Sequence, residues 1–96
     1  MDIQETLKQR GKTHGEFSTH AKTAQELKLI MRNSPNWNSL SDDKKECLEM
    51  VAHKISRVLS GDPNFHDTWH DIIGYVTLVE QTLVRPPETA QAVINI

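Results

Sequence analysis

Apolar residues recur along this chain at steps of three and four, the spacing that lays one stripe along an α-helix. Phe17, Ala21, Ala24, Leu27 and Met31 form one such stripe, which predicts a helix from about Glu16 to Arg32. Leu48, Val51, Ala52, Ile55 and Leu59 form a second, and Trp69, Ile72, Ile73, Val76 and Leu83 a third. No strand-like alternation of useful length appears. The pattern therefore predicts an all-α fold, a small antiparallel bundle of about four helices.

The punctuation between the stripes agrees with this reading. Asp2 with Glu5 three residues on has capping-box spacing, so a short first helix can run to about Gln9 before Gly11 interrupts it, with Gly11 and Gly15 bracketing a turn. Pro35 ends the second helix, because it has no backbone N–H and disfavours helical angles at Ser34. Trp37 and Leu40 are expected to seal this loop over the core. Ser41 is the expected N-cap of the third helix, with Asp42 and Asp43 at the positive end of its dipole. Gly61 is the expected left-handed stop, and Asn64, with Asp67 three residues on, the cap of the fourth helix. Pro86-Pro87 is expected to terminate that helix. One domain over residues 1–85 and a flexible or docking tail over 86–96 follow.

Composition narrows the function classes. With 96 residues, 36% of them apolar, the chain can build only a modest aliphatic core, so a homo-oligomer is expected to supplement it. A net charge of −2 gives no basic face for nucleic acid, and a helix-turn-helix here would offer the acidic Asp67–Glu80 segment to phosphates. Nucleic acid is not an expected partner. Cys47 is the one cysteine, which excludes an intrachain disulfide and points to a reducing compartment. With no secretory pattern at the N-terminus and no run of roughly 20 apolar residues, the expected location is cytoplasmic, without membrane association.

Several groups of residues could carry chemistry. Glu46, Glu49 and His53 share the face of the third helix turned away from its apolar stripe, and the fourth helix offers Asp67 and Asp71. Carboxylates from two neighbouring helices are how bundles build cages for Mg²⁺. Lys54 and Arg57 could neutralise a bound phosphate, or could instead pair with Asp67 and Asp71 across the hairpin. Gly74 sits mid-helix, where glycine costs about 1 kcal/mol relative to alanine, so a close approach near Gly74, Tyr75 and Leu78 is expected. His66 and His70 stand one turn apart, a zinc spacing without an evident third nitrogen or sulfur ligand. The Lys8–His14 segment, with Lys8, Arg10, Lys12 and His14 around glycine, could meet phosphate oxygens or be a solvated loop. Cys47 has no activating base and reads as a small buried hydrophobe.

The run Leu48-Glu49-Met50-Val51-Ala52-His53-Lys54-Ile55-Ser56-Arg57, followed by Gly61-Asp62-Pro63-Asn64 and Asp67-Thr68-Trp69-His70-Asp71-Ile72-Ile73-Gly74-Tyr75, resembles a family of uncharacterised bacteriophage and prophage proteins. Those proteins carry Lys-Ile-Ala-Arg followed by Asp-x-Trp-x-Asp-Ile-Ala-Gly-Tyr, and the Arg10–Phe17 segment also looks like theirs. The resemblance spans roughly residues 7–83 and implies no assigned reaction. Glu46-x-x-Glu49 is more distantly similar to the first carboxylate motif of MazG-type all-α nucleoside triphosphate pyrophosphatases, which imply Mg²⁺ and an oligomer. Asp67 and Asp71, four apart, stand where a second motif is expected. Two readings result. The first is a phage or prophage accessory protein acting as a non-catalytic interaction module, in which Gly74, Tyr75 and Leu78 pack against a second copy or a host protein. The alternative is a Mg²⁺-dependent nucleotide-binding or pyrophosphatase-like protein using Glu46, Glu49, Asp67 and Asp71.

Overall fold

The computed structural model of the protein describes residues 2–84, and within them the fold is all-α. Four α-helices follow one another: α1 over Ile3–His14, α2 over Phe17–Arg32, α3 over Asp42–Ser60 and α4 over His66–Glu80, with one 3-10 turn, Trp37–Ser39, between α2 and α3. The expected tail over 86–96 and the Pro86-Pro87 stop lie outside the described residues.

Helix starts and stops only partly follow the expected chemistry. Asp2 caps α1 as expected, its side chain accepting from the Glu5 amide at 2.9 Å. Gly11 does not interrupt α1. One mid-helix glycine costs only about 1 kcal/mol, and the helix continues three residues further to His14, where Gly15 ends it at φ +84°. Ser41 holds the N-cap position of α3, but its hydroxyl donates to the Asp43 carboxylate instead of capping a backbone amide. Phe65, not Asn64, precedes α4, and the Asn64 backbone amide donates to the Asp62 side chain in the turn before it. At Gly61 φ is −118°, so this glycine is not the expected left-handed stop.

Close approach accounts for Gly61. A Cβ on Gly61 would lie closer than 3.0 Å to backbone atoms of Thr13, His14 and Gly15, and one on Gly15 would do the same to Ser60. The two glycines let the ends of α1 and α3 cross backbone to backbone, and the Asp62 amide donates to the Thr13 carbonyl at 2.8 Å across the junction. Little else holds α1, which contains no buried residue.

Helix α3 is the centre of the molecule. It packs against α2 on one side and α4 on the other, while α2 and α4 make no extensive contact with each other. Both pairs are antiparallel: Arg32 near the end of α2 meets Glu49 early in α3, and His20 near the start of α2 meets His53 further along. Three helices, α2, α3 and α4, lie side by side in a single layer, with α1 joined beside it; the molecule as a whole measures 53 × 28 × 23 Å, with a radius of gyration of 16.4 Å, above the roughly 12–13 Å of a compact chain of this length.

A single layer buries little. Ala24, Cys47, Ala52, His20, Ser56 and Thr68 are the buried residues among those described, all small or polar. The expected stripes are correct in period and partly wrong in direction. Ala24, Leu27 and Met31 turn toward α3, but Phe17 is 76% exposed. On α3 the line Leu48, Ile55 and Leu59 opens into the valley between α2 and α4, because the line through Glu49, His53 and Arg57 is the one that α2 covers. On α4 the line facing α3 is Phe65, Thr68, Ile72, Tyr75 and Val79, leaving Trp69, Ile73 and Val76 exposed on its flank. Trp37 and Leu40 are half-buried beside the layer.

Candidate functional site

Two regions gather polar side chains: the carboxylates of the α3–α4 hairpin and a cavity framed by α1, α2 and α3.

In the hairpin each expected carboxylate has its own surroundings. Glu49 is ion-paired with Arg32 of α2. Asp71 accepts from the Lys54 ammonium at 2.9 Å, which holds its carboxyl below the usual carboxylate range. The Lys54 side chain is only 12% exposed and that of Asp71 47%, so the pair covers a buried cation from the outside. Asp67 approaches His66 Nδ1 at 3.4 Å, and Glu46 is exposed. Glu49 and Lys54 are five residues apart, about 140° around the helix at 3.6 residues per turn, so Glu49 is drawn toward α2 while Asp71 is drawn to the α4 side. Among the described residues no group of three or more His, Cys, Asp or Glu side chains is arranged to hold a metal ion. The pairing of Asp71 with Lys54, weighed from the sequence against a ligand role, is the contact that forms.

The outer face of α4 bears a shallow groove of about 450 Å³ lined by His70, Asp71, Gly74, Tyr75 and Leu78. A Cβ on Gly74 would meet nothing within 4 Å, so within one chain the mid-helix glycine borders open space. His66 and His70 stack on this surface with ring centroids 5.5 Å apart. Trp69, the aromatic of the same motif, donates its indole N–H to the Pro63 carbonyl at 2.8 Å and ties α4 to the preceding turn. Cys47 is buried, and burial first and Asp43 second push its thiol above the ordinary range, as befits a packing residue.

The second region was only half legible. A cavity of about 610 Å³ has Arg10 and His14 of α1, His20 of α2, and His53 and Arg57 of α3 on its wall, with Gly15 at the α1–α2 joint. The His20 and His53 rings meet edge to face at 5.9 Å, Phe17 meets His20 at 5.3 Å, and His14 meets Phe65 at 5.9 Å. His20 is 5% exposed. His14 Nδ1, His20 Nδ1 and Arg57 Nε are buried with no hydrogen-bond partner among the described residues, each an arrangement that costs about 1–3 kcal/mol when left unsatisfied. All three histidines are held below 6.5, burial being the largest cause for each and Arg57 the next, and His53 is lowered to about 4. They are neutral at pH 7.

Of this wall, the Lys8–His14 segment supplies Arg10, Gly11 and His14, and Arg57 was expected to meet phosphate. His53, expected beside Glu46 and Glu49 on a free face, in fact lies under α2. A readable signal existed: His53 and Arg57 are one turn apart on α3, and His14 and His20 flank a two-residue helix joint.

Compared with protein-family models, with curated proteins and with solved structures, the chain matches none.

Proposed function

We propose that this chain is a non-catalytic interaction module, a phage or prophage accessory protein whose working form is a homo-oligomer paired through the open face of the α3–α4 hairpin. One observation carries the reading: the helices form a single layer with a row of exposed apolar side chains on one side, and among the described residues no element covers it. Helical domains are stable when two layers enclose a core. Leu48, Ile55, Leu59, Trp69, Ile73, Val76 and Leu83 are each 37–67% exposed, and Leu48, Val76 and Leu83 line one nearly apolar groove of about 300 Å³.

Together these side chains present on the order of 700 Å² of surface, close to the 800 Å² or so that each partner contributes to a stable interface of ordinary size. A second copy supplies the same patch, so a two-fold axis over the hairpin closes both faces at once and leaves no further binding edge. The phage context rests on the Asp67-x-Trp69-x-Asp71-Ile72-x-Gly74-Tyr75 likeness. The alternative, Mg²⁺ held by Glu46, Glu49, Asp67 and Asp71, requires Glu49 and Asp71 to leave Arg32 and Lys54.

Sedimentation equilibrium of the full chain tests the pairing. The wild type sediments as a dimer at about 100 µM, and Leu59→Glu with Ile73→Glu, both at exposed positions, sediments as a monomer of reduced melting temperature because the second layer stabilises by mass action. Gly74→Ala, on the other flank of α4, leaves the dimer intact. A wild type that is monomeric and still melts cooperatively would overturn the proposal, as would a charged double variant that stays dimeric.

A further inference from the structure

We propose that the cavity between α1, α2 and α3 binds a phosphate monoester, with its phosphoryl oxygens held by Arg10, His14, His20, His53 and Arg57. The site lies away from the open hairpin face, so it stands or falls independently of the dimer.

The first argument is hydrogen bonding. Three buried nitrogens, His14 Nδ1, His20 Nδ1 and Arg57 Nε, have no partner among the described residues, and one comes from each of the three helices. Folded proteins leave few such atoms unsatisfied, and each has donor capacity: the guanidinium always, the imidazoles in the appropriate tautomer or protonated form. A phosphoryl group offers three terminal oxygens with several lone pairs, enough to accept from three directions at once, and arginine's fork geometry suits it. A carboxylate accepts in one plane through two oxygens, whereas the tetrahedral phosphoryl group meets donors from three helices out of plane and carries more charge.

The second argument is charge. Arg10 and His14 face the space from α1, His20 from α2, and His53 and Arg57 from α3, while Lys28 and Lys54 act on His53 from slightly further away. Among the described residues the acid on the wall is Glu16, which accepts from the Ser18 hydroxyl at 3.0 Å, and the nearest carboxylate of α4, Asp71, is taken by Lys54. Arg57 is in no ion pair among the described residues, and Arg10 adds to the burial that lowers its pKa. At pH 7 the wall thus sets the two guanidiniums of Arg10 and Arg57 against the one carboxylate of Glu16, a net positive charge that an anion relieves and a neutral ligand does not.

The third argument is size and shape. At about 610 Å³ the space is in the range of small-molecule sites and far larger than one phosphate ion needs. Leu7 and Phe17 line its rim, and the exposed Phe17 ring, braced edge to face on His20, offers a flat surface for the organic part of an ester.

The test follows the histidine Cε1–Hε1 NMR signals of the full chain, with phenyl phosphate, inorganic phosphate and benzoate added at matched ionic strength. Phenyl phosphate shifts His14, His20 and His53 and leaves His66 and His70, exposed on α4, unmoved. It also raises the protonation midpoint of His53 by one pH unit or more, and binds at least threefold more tightly than inorganic phosphate. Arg57→Gln weakens binding tenfold or more. Should that variant fail to fold, Arg10→Gln, at an exposed position, gives the same reading with a smaller loss. The assignment is overturned by no shift at millimolar phenyl phosphate, by equal shifts of His66 and His70, by benzoate binding as tightly, or by undiminished binding in both arginine variants. Equal affinity for inorganic phosphate would overturn the ester.

Discussion

Alanine at Gly15 should undo the attachment of α1, and the size of the loss can be worked from the junction. The φ of +84° with ψ of 178° lies in a region that residues with a Cβ occupy at a cost of about 1–3 kcal/mol. The added methyl would also press into the backbone of Ser60, which cannot give way without shifting the end of α3. Relief comes from separating the two helix ends, and that breaks the bond from the Asp62 amide to the Thr13 carbonyl, worth about 1 kcal/mol. Since α1 buries no residue, its docking is weak, and the loss saturates once α1 has come away. A total of about 2–4 kcal/mol is therefore expected, read as a lower urea midpoint. Loss of hydrogen-exchange protection at Asp62 should accompany it. Gly61→Ala should cost a similar amount, and the double variant little more than either, because both substitutions break the same junction. Gly11→Ala is the internal control: its Cβ meets nothing within 4 Å on an exposed helix, so it should stabilise by about 0.5–1 kcal/mol. A Gly15→Ala protein within about 0.5 kcal/mol of wild type would refute the close-crossing argument.

Acid should destabilise the fold in a defined window. His14, His20 and His53 are lowered in the folded state, so between about pH 4 and 6.5 the unfolded chain binds more protons; the stability is complete above pH 6.5 and falls as pH drops toward 4. For His53 alone the drop to about 4 corresponds to roughly 3 kcal/mol, reduced to about 1–2 by solvent reaching a half-buried ring; His53→Phe should flatten urea midpoints measured across this window. Asp71→Asn should lower the melting temperature more than Lys54→Met, because the first strands a largely buried ammonium and the second removes it. Cys47 should resist thiol reagents in the folded protein, and Cys47→Ser should cost about 1–3 kcal/mol in chemical denaturation through a hydroxyl buried without a partner.

The period of the helices was legible in the sequence, and their facing was not. Spacing placed α2, α3 and the start of α4 within one or two residues, since a 3.6-residue repeat is a local property, but α4 ends at Glu80, short of the Leu83 that its stripe included. Which side of α3 is covered depends on where its neighbours lie, and Glu49, His53 and Arg57 turned inward because Arg32 and His20 of α2 meet them there. Residues that satisfy a partner across the layer cannot be told from a solvated face in one sequence. The same limit hid the cavity, whose five basic residues come from three helices. The Gly15 and Gly61 pair was visible as two turn glycines, but a crossing between segments forty-six residues apart leaves no local trace.

The junction at Gly15 and Gly61 fastens α1 at one end only. A turn of α1 about that point would move its Ile3 end and alter the width of the space beside His20 and His53 while leaving the contacts between α2 and α3 in place.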